Sequence, residues 1–250
     1  MPSIRLYAGT YGPLSRLAVF LSAHRYDPNV VIEGTGSGNT FIDIPVTLNA
    51  WHPRIRNVCI RAPVTLENCG SPLLDDVVIH NPTGTRALTI RITPDGVPDG
   101  WVSWPERGEE KRCARATLGT FRDVVVEADG GGWLFEDAVG DALRAEWRKT
   151  KLSGSFLTAM RLFGGHTSVR QGPGLEFVGL KGLDAYSHYV DQREGPGLIL
   201  RGGTRMVNWF GRDLDPPIVA GEDGAHFTPI GWPKYHVEAL VRESVNGTLA

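Results

Sequence analysis

The sequence predicts an all-β fold, a parallel β-solenoid of about eight coils with short helical caps. Two observations lead to this prediction. A short strand pattern returns along the chain, and 31 glycines and 17 prolines are spread over all 250 residues. Such punctuation favours short strands joined by turns. A doubly wound α/β fold would need helices of ten or more residues between its parallel strands, and short apolar strand segments occupy those stretches instead.

The first element along the chain is a helical pattern at residues 13–24. Leu14, Leu17, Ala18 and Leu21 recur there at the i, i+3, i+4, i+7 spacing of an amphipathic helix. The open end of a solenoid needs a cover, and this segment directly precedes the first repeat. We therefore expect residues 1–28 to form an N-terminal segment with a cap helix.

The repeat itself is a hexamer that begins with Asn, Asp or Gly and ends with a small residue or Asn. Its copies are NVVIEG at 29–34, NVCIRA at 57–62, DVVIHN at 76–81, DVVVEA at 123–128, GLEFVG at 174–179 and GLILRG at 197–202. Two long gaps divide at weaker candidates near residues 99 and 149, which gives eight units of roughly 19 to 28 residues. The predicted solenoid covers residues 29–230.

Positions two and four of every hexamer are apolar, and strand alternation should turn them into one interior. These twelve residues are Val30, Ile32, Val58, Ile60, Val77, Ile79, Val124, Val126, Leu175, Phe177, Leu198 and Leu200. The third position should face outward as one row of mainly apolar residues that needs a cover, from a loop of the same chain or from another subunit. That row consists of Val31, Cys59, Val78, Val125, Glu176 and Ile199.

The glycine-rich loop EGTGSGNT at 33–40 follows the first predicted strand, where many proteins bind a phosphate. It lacks the GxGxxG spacing, and a further strand pattern follows it rather than a helix. We predict a corner of the solenoid here. At the other end of the chain, residues 231–250 are expected to form a helical or docking segment, with a helix at 235–245.

Composition excludes several partners. The 26 Lys and Arg balance 28 Asp and Glu without a block of like charge, which gives no reason to expect nucleic acid. Apolar runs are too short for membrane insertion, and no signal peptide is recognisable. Cys59, Cys69 and Cys113 form no CxxC pair, so we expect free thiols, no metal site and no cofactor.

The hexamers, their small-residue corners and the preceding helix resemble the right-handed parallel β-helix proteins of the pectate-lyase-like superfamily, above all the tailspike and minor tail proteins of bacteriophages. The resemblance covers about residues 13–227. It implies a single-stranded right-handed parallel β-helix that serves as a structural and binding component of a phage virion, without a large particle-attachment domain. It also implies a homotrimer, contacts with other virion tail proteins, and host surface polysaccharide as a candidate ligand.

The superfamily also contains polysaccharide lyases and glycoside hydrolases, so an enzyme acting in the outer groove is the alternative. Glu127 and Asp129 are two residues apart on an extended chain, roughly 7 Å between Cα atoms, which is within the range for an inverting hydrolase. Asp184, near His188 and Asp191, is a further catalytic candidate. Solvated acidic corners and loops explain the same residues.

Five aromatic residues are candidates for glycan binding or for a subunit interface, because flat apolar rings suit both. They are Trp101, Trp104, Trp133, Tyr186 and Tyr189. Packing in the core would explain the tryptophans equally well.

Overall fold

The computed structural model describes residues 1–93, 112–138, 152–210, 214–215, 219–221 and 225–231. Within them the chain is mostly β-strand, with one helix, and the strands pair in parallel. The all-β prediction is confirmed. The predicted helix at 235–245 lies outside the described residues, and no described helix is long and apolar enough to span a membrane.

The elements are numbered in chain order. The first half comprises β1 Ser3–Arg5, β2 Gly9–Tyr11, α1 Arg16–His24, β3 Asn29–Glu33, β4 Thr40–Ile42, β5 Val46–Leu48, β6 His52–Ile60, β7 Val64–Glu67, β8 Leu73–Asn81, β9 Leu88–Ile92, β10 Arg112–Thr117 and β11 Thr120–Ala128. The second half comprises β12 Trp133–Asp137, β13 Leu152–Thr158, β14 Met160–Phe163, β15 His166–Val169, β16 Leu175–Val178, β17 Lys181–Tyr186, β18 Tyr189–Gln192, β19 Leu198–Arg201, β20 Arg205–Phe210, β21 Leu214–Asp215, β22 Val219–Gly221 and β23 Phe227–Ile230.

These strands form three ladders of parallel pairs, which we call the first, second and third ladder. The first runs β1-β3-β6-β8-β11-β14-β17-β20-β23. The second runs β2-β4-β6-β8-β11-β15-β18-β21 and shares the nine-residue strands β6, β8 and β11 with the first. The third is a separate seven-stranded sheet, β5-β7-β9-β12-β16-β19-β22.

The chain visits the three ladders in a fixed order. From β3 to β22 it runs along the first ladder, then the second, then the third, and returns to the first beside its previous strand. Two longer connections, at 93–119 and 138–159, lie between a strand of the third ladder and the next strand of the first. Each contributes one strand to a small separate sheet, β10 paired with β13.

The core is a single cluster to which all three ladders and α1 contribute. All twelve residues at hexamer positions two and four are buried, with at most 2% of their surface exposed, so this prediction is confirmed. Alternation explains it, because every second side chain of a strand points to the same face.

The third-position residues do not form the predicted single row. Val31 lies on the first ladder, Glu176 and Ile199 pair with each other on the third, and the hexamers at 57–62, 76–81 and 123–128 are aligned with one another on the second ladder. The prediction of one outward row was wrong because the same hexamer pattern suits any strand that ends at a corner. On the second ladder a different row of six residues forms, in the order Phe41, Cys59, Val78, Val125, His166 and Tyr189.

The shared strands bend where their hexamers begin. Asn57, Asp76 and Asp123 occupy equivalent positions in β6, β8 and β11 and have φ of 54°, 51° and 49°. Asn and Asp tolerate this left-handed conformation better than other residues with a side chain. Each bend transfers the chain from the first ladder to the second without interrupting the strand.

Helix α1 covers the beginning of the stack. It starts three residues later than the sequence predicts, which leaves Leu14 fully exposed before it, while Leu17 and Leu21 enter the core. The helix contacts β2 and β5, and these are the first strands of the second and third ladders. The helix therefore lies beside the start of two ladders, and its role as the cap of a solenoid stays a prediction.

The loop at 33–40 is a corner between β3 and β4, as predicted. The Gly36 N–H donates to the carbonyl of Asn57 and the Thr40 N–H to that of Gly36. The Thr35 N–H donates to the Thr40 hydroxyl at 3.1 Å. These donors are engaged within the protein, so the loop does not have the convergent N–H groups of a phosphate site.

Candidate functional site

An open groove of about 350 Å³ lies on the outer side of the second ladder, near the ends of β8, β11, β15 and β18. Its walls contain charged and polar side chains from successive strands. They include His80, Glu127, Asp129, Ser168, Arg170 and Arg193. Because they come from hydrogen-bonded neighbouring strands, their backbone positions are fixed by the ladder.

One row of the groove runs across the strands. Glu127 pairs in register with His80 on one side and with Ser168 on the other, and Asp191 follows Ser168. His80 Nδ1 lies 3.2 Å from Glu127 Oε2. A carboxylate only accepts, so the imidazole donates its N–H in this hydrogen bond. The two side chains are about half exposed.

A second row lies two residues further along each strand. Asp129 follows β11, Arg170 follows β15 and Arg193 follows β18. Arg170 Nη1 lies 3.5 Å from Asp129 Oδ1, whereas Arg193 forms no ion pair with any described residue. The groove therefore presents carboxylates and guanidinium groups side by side.

Both acidic residues that the sequence suggests as catalytic, Glu127 and Asp129, lie in this groove. Their side chains are 53% and 46% exposed, and each has a hydrogen-bonding or charged partner. A carboxylate accepts hydrogen bonds from the hydroxyl groups of a polar ligand. The arrangement suits hydrogen bonding to a polar ligand better than proton transfer.

Asp184, the third catalytic candidate, lies elsewhere. It is on the first ladder, between Arg161 and Asn208, and its Oδ1 accepts a hydrogen bond from Asn208 Nδ2 at 2.9 Å. A bend at Ser187, with φ of 52°, separates it from Asp191 on the second ladder. The expected cluster of Asp184, His188 and Asp191 does not form.

His188 is instead part of a buried hydrogen-bond chain. Its Nδ1 lies 2.8 Å from the carbonyl of Gly164, which can only accept, so Nδ1 carries the proton. Its Nε2 then accepts from the Thr167 hydroxyl at 2.9 Å, and that oxygen accepts from Trp133 Nε1 at 2.9 Å. Burial lowers the pKa of His188 to about 4, and the chain is complete with a neutral imidazole.

Trp133 therefore belongs to the core, the alternative that the sequence left open for it, and offers no surface for stacking a sugar. Its ring is fully buried and packs edge to face against Phe121 and parallel to Phe135. It occupies an inward position on β12, so the third ladder's alternation places it in the core. The pattern WLF at 133–135 contains this signal, since its first and third residues share a face.

The two tyrosines are exposed but differ in what they offer. Tyr186 is stacked between Phe163 and Phe210, with ring centroids 5.2 Å and 4.4 Å away. Both faces of its ring are covered, so only its edge and hydroxyl remain for a ligand. Tyr189 is 39% exposed and packs against His166 on the second ladder. Trp101 and Trp104 lie outside the described residues.

Three groove residues, His80, Arg170 and Arg193, were not predicted from the sequence. His80 was recognisable, because it precedes Glu127 in the fifth column of the aligned hexamers. The arginines were not, because they lie in segments whose register with residues 123–128 is visible only from the strand pairing.

The chain matches no family model, no curated protein and no solved structure. Among the described residues, no three metal-ligating side chains converge on one point. The groove and its charges are therefore the starting point for function.

Proposed function

We propose that the three ladders close around the core into a single-stranded right-handed parallel β-helix of about eight coils. Two observations support this proposal. The chain returns to the first ladder after each visit to the third, always beside its previous strand. Side chains from all three ladders also share one buried cluster, as the wall of a closed solenoid requires.

On this scaffold the proposed function is glycan binding by a rigid structural component of a bacteriophage tail. The resemblance of the hexamers to tailspike and minor tail proteins supports the setting. In that setting the expected assembly is a homotrimer in contact with other virion tail proteins, and the expected ligand is host surface polysaccharide.

The groove on the second ladder is the observation on which glycan binding rests. Sugar hydroxyls both donate and accept hydrogen bonds. Glu127 and Asp129 accept, Arg170 and Arg193 donate, and Ser168 does both. Neighbouring strands fix the spacing of the backbone positions that carry these groups.

The alternative function is a glycan-processing enzyme, a lyase or a hydrolase, acting in the same groove. The presence of both Glu127 and Asp129 there favours it, because two carboxylates flank the bond in most glycoside hydrolases. The exposure of both side chains favours binding without turnover. Asp184 contributes neither to glycan binding nor to catalysis in this groove, since it lies on the first ladder.

An array of neutral bacterial surface polysaccharides tests the proposal. We expect binding of at least one glycan, weakened about tenfold or more in the double variant Glu127→Gln/Arg193→Gln, because hydrogen bonds to charged groups are worth ~1.5–3 kcal/mol each. A matched double variant on the first ladder, Asp184→Asn/Arg54→Gln, removes the same charges and should bind like the wild type.

Three outcomes contradict the proposal. One is that no glycan binds, and a second is that the two double variants lose binding equally. The third is release of oligosaccharides by the wild type and its loss in Glu127→Gln or Asp129→Asn, which would establish the enzyme instead.

A further inference from the structure

The outer face of the first ladder changes in character along the stack. One row of outward residues continues in register through all the strands of this ladder. It begins with charged residues, in the order Arg5, Glu33, Arg56, Asp75 and Arg122. It ends with aromatic and aliphatic residues, in the order Phe163, Tyr186, Phe210 and Ile230. We call these last four residues the apolar row, and such a row on an outer face is a candidate contact surface.

The apolar row is ordered by the stacking of its own rings. The ring planes of Phe163 and Tyr186 lie within 6° of each other, and those of Tyr186 and Phe210 within 10°. Tyr186 and Ile230 are nevertheless 36% and 37% exposed. Tyrosine is enriched among the residues that contribute most to protein interfaces. The row therefore presents a preordered apolar edge to a partner.

A polar row borders the apolar row, two residues earlier on each strand. Its members are Thr120, Arg161, Asp184, Asn208 and Thr228. Arg161 is exposed and forms no ion pair with a described residue, while Asp184 accepts one hydrogen bond from Asn208. An apolar centre with a polar border is the usual arrangement of a protein–protein interface.

We infer that this face binds a second copy of the chain through a two-fold axis parallel to the strands. Such an axis lays each row against the same row of the partner in reverse order. When the axis passes between β14 and β17, Phe163 meets the partner's Tyr186, and Arg161 meets the partner's Asp184. Each contact occurs twice, because a two-fold interface uses the same surface of both subunits. The inference rests on the strand register of the first ladder and on no part of the proposed function.

Charge selects this position of the axis over the neighbouring ones. An axis through β14 would bring two copies of Arg161 together, and an axis through β17 would bring two copies of Asp184 together. Like charges that face each other across an interface are unfavourable. An axis between β17 and β20 leaves Arg161 opposite Thr228. Of these four positions, only the one between β14 and β17 pairs opposite charges.

The size of the contact predicts a weak, reversible dimer. The two copies would overlap from β8 to β23, a length of roughly 24 Å at about 4.8 Å per strand spacing. Strands β14 and β23 have four residues each, which gives a width of about 13 Å. This area is well below the ~800 Å² per partner of a standard interface.

Sedimentation equilibrium at protein concentrations up to about 0.5 mM tests the inference, since small interfaces dissociate at high concentrations. Arg161→Asp and Asp184→Arg each bring like charges together twice, so each should weaken dimerisation about tenfold or more. The matched control is Arg54→Asp, the same substitution on β6, where the polar row continues beyond the overlap. It should change the dimer affinity by less than about twofold.

A mixture of the Arg161→Asp and Asp184→Arg variants separates a contact between chains from one within a chain, where the two residues are register neighbours. At these positions one variant carries two acidic side chains and the other two basic ones. The equimolar mixture should therefore form a heterodimer within about threefold of the wild-type affinity, and its recovery shows that both variants fold.

Four outcomes would overturn the inference. The wild type could remain monomeric throughout, or the mixture could associate no better than its components. Arg54→Asp and Arg161→Asp could weaken association equally. The wild type could also form a three-chain assembly that Arg161→Asp leaves intact.

Discussion

Acidification from pH 7 to pH 5 should weaken the fold through His188, whose imidazole is buried against Trp133 and Trp209. Burial lowers its pKa to about 4, from an ordinary value of 6.5. As the pH falls, the unfolded chain binds a proton before the folded one does. The stabilisation from His188 is therefore fully present above pH 6.5 and is lost as the pH falls from 6.5 toward 4.

The size of the effect follows from the two pKa values. For a group that titrates at 6.5 when unfolded and at about 4 when folded, the linkage relation gives a loss of about 2 kcal/mol between pH 7 and pH 5. Over this interval few carboxylates become protonated, so the histidines dominate the decline in the free energy of unfolding.

Urea unfolding monitored by tryptophan fluorescence at pH 7, 6 and 5 measures this decline. His188→Asn keeps an N–H for the Gly164 carbonyl but cannot titrate. We expect it to be less stable at pH 7, because it loses ring contacts and the acceptor for Thr167. Its further loss on acidification should be about 2 kcal/mol smaller than that of the wild type. The control His80→Asn leaves the buried network intact and should follow the wild type. Equal declines in His188→Asn and the wild type would refute the reasoning.

Two further predictions concern packing. Gly34→Ala should lower stability by about 3 kcal/mol, because a Cβ there would lie 2.2 Å from the carbonyl oxygen of Asn57. Gly38→Ala in the same loop meets nothing within 4 Å and should be near neutral; equal melting temperatures for the two would contradict the clash. Trp133→Phe should cost about 1–3 kcal/mol in urea unfolding, since it removes the indole N–H that Thr167 accepts. Unchanged stability would mean that this hydrogen bond contributes nothing.

The strand pattern was predictable because burial depends on alternation within one strand. Every hexamer buries its second and fourth residues, whichever ladder it joins. The ladder itself was not predictable from that alternation. One signal in the sequence does distinguish the ladders. The copies at 174–179 and 197–202 follow Gly-Pro and lie on the third ladder. The copies on the shared strands begin with Asn57, Asp76 and Asp123, which form the left-handed bends.

The candidate site was only half predictable for a related reason. Glu127 and Asp129 stand out as acidic residues around a corner, so sequence alone could suggest them. Their partners lie on neighbouring strands of the second ladder, and residues on neighbouring strands can be far apart in the sequence. His80 is 47 residues from Glu127 and Arg170 is 41 residues from Asp129, yet both pairs are in contact. Trp133 shows the reverse error. Its residue type suggested a surface for a ligand, but its position in the alternation of β12 places it in the core.

The long connections at 93–119 and 138–159 indicate where such a protein can accept insertions and deletions during evolution. Although these two connections are longer than those of the other visits, β8 still pairs with β11 and β11 with β14, with the core register unbroken. Lengthening a loop at this corner costs little closure entropy. Segments there can be gained, lost or exchanged between relatives while the ladders keep their shape, so new surface can evolve without a new fold.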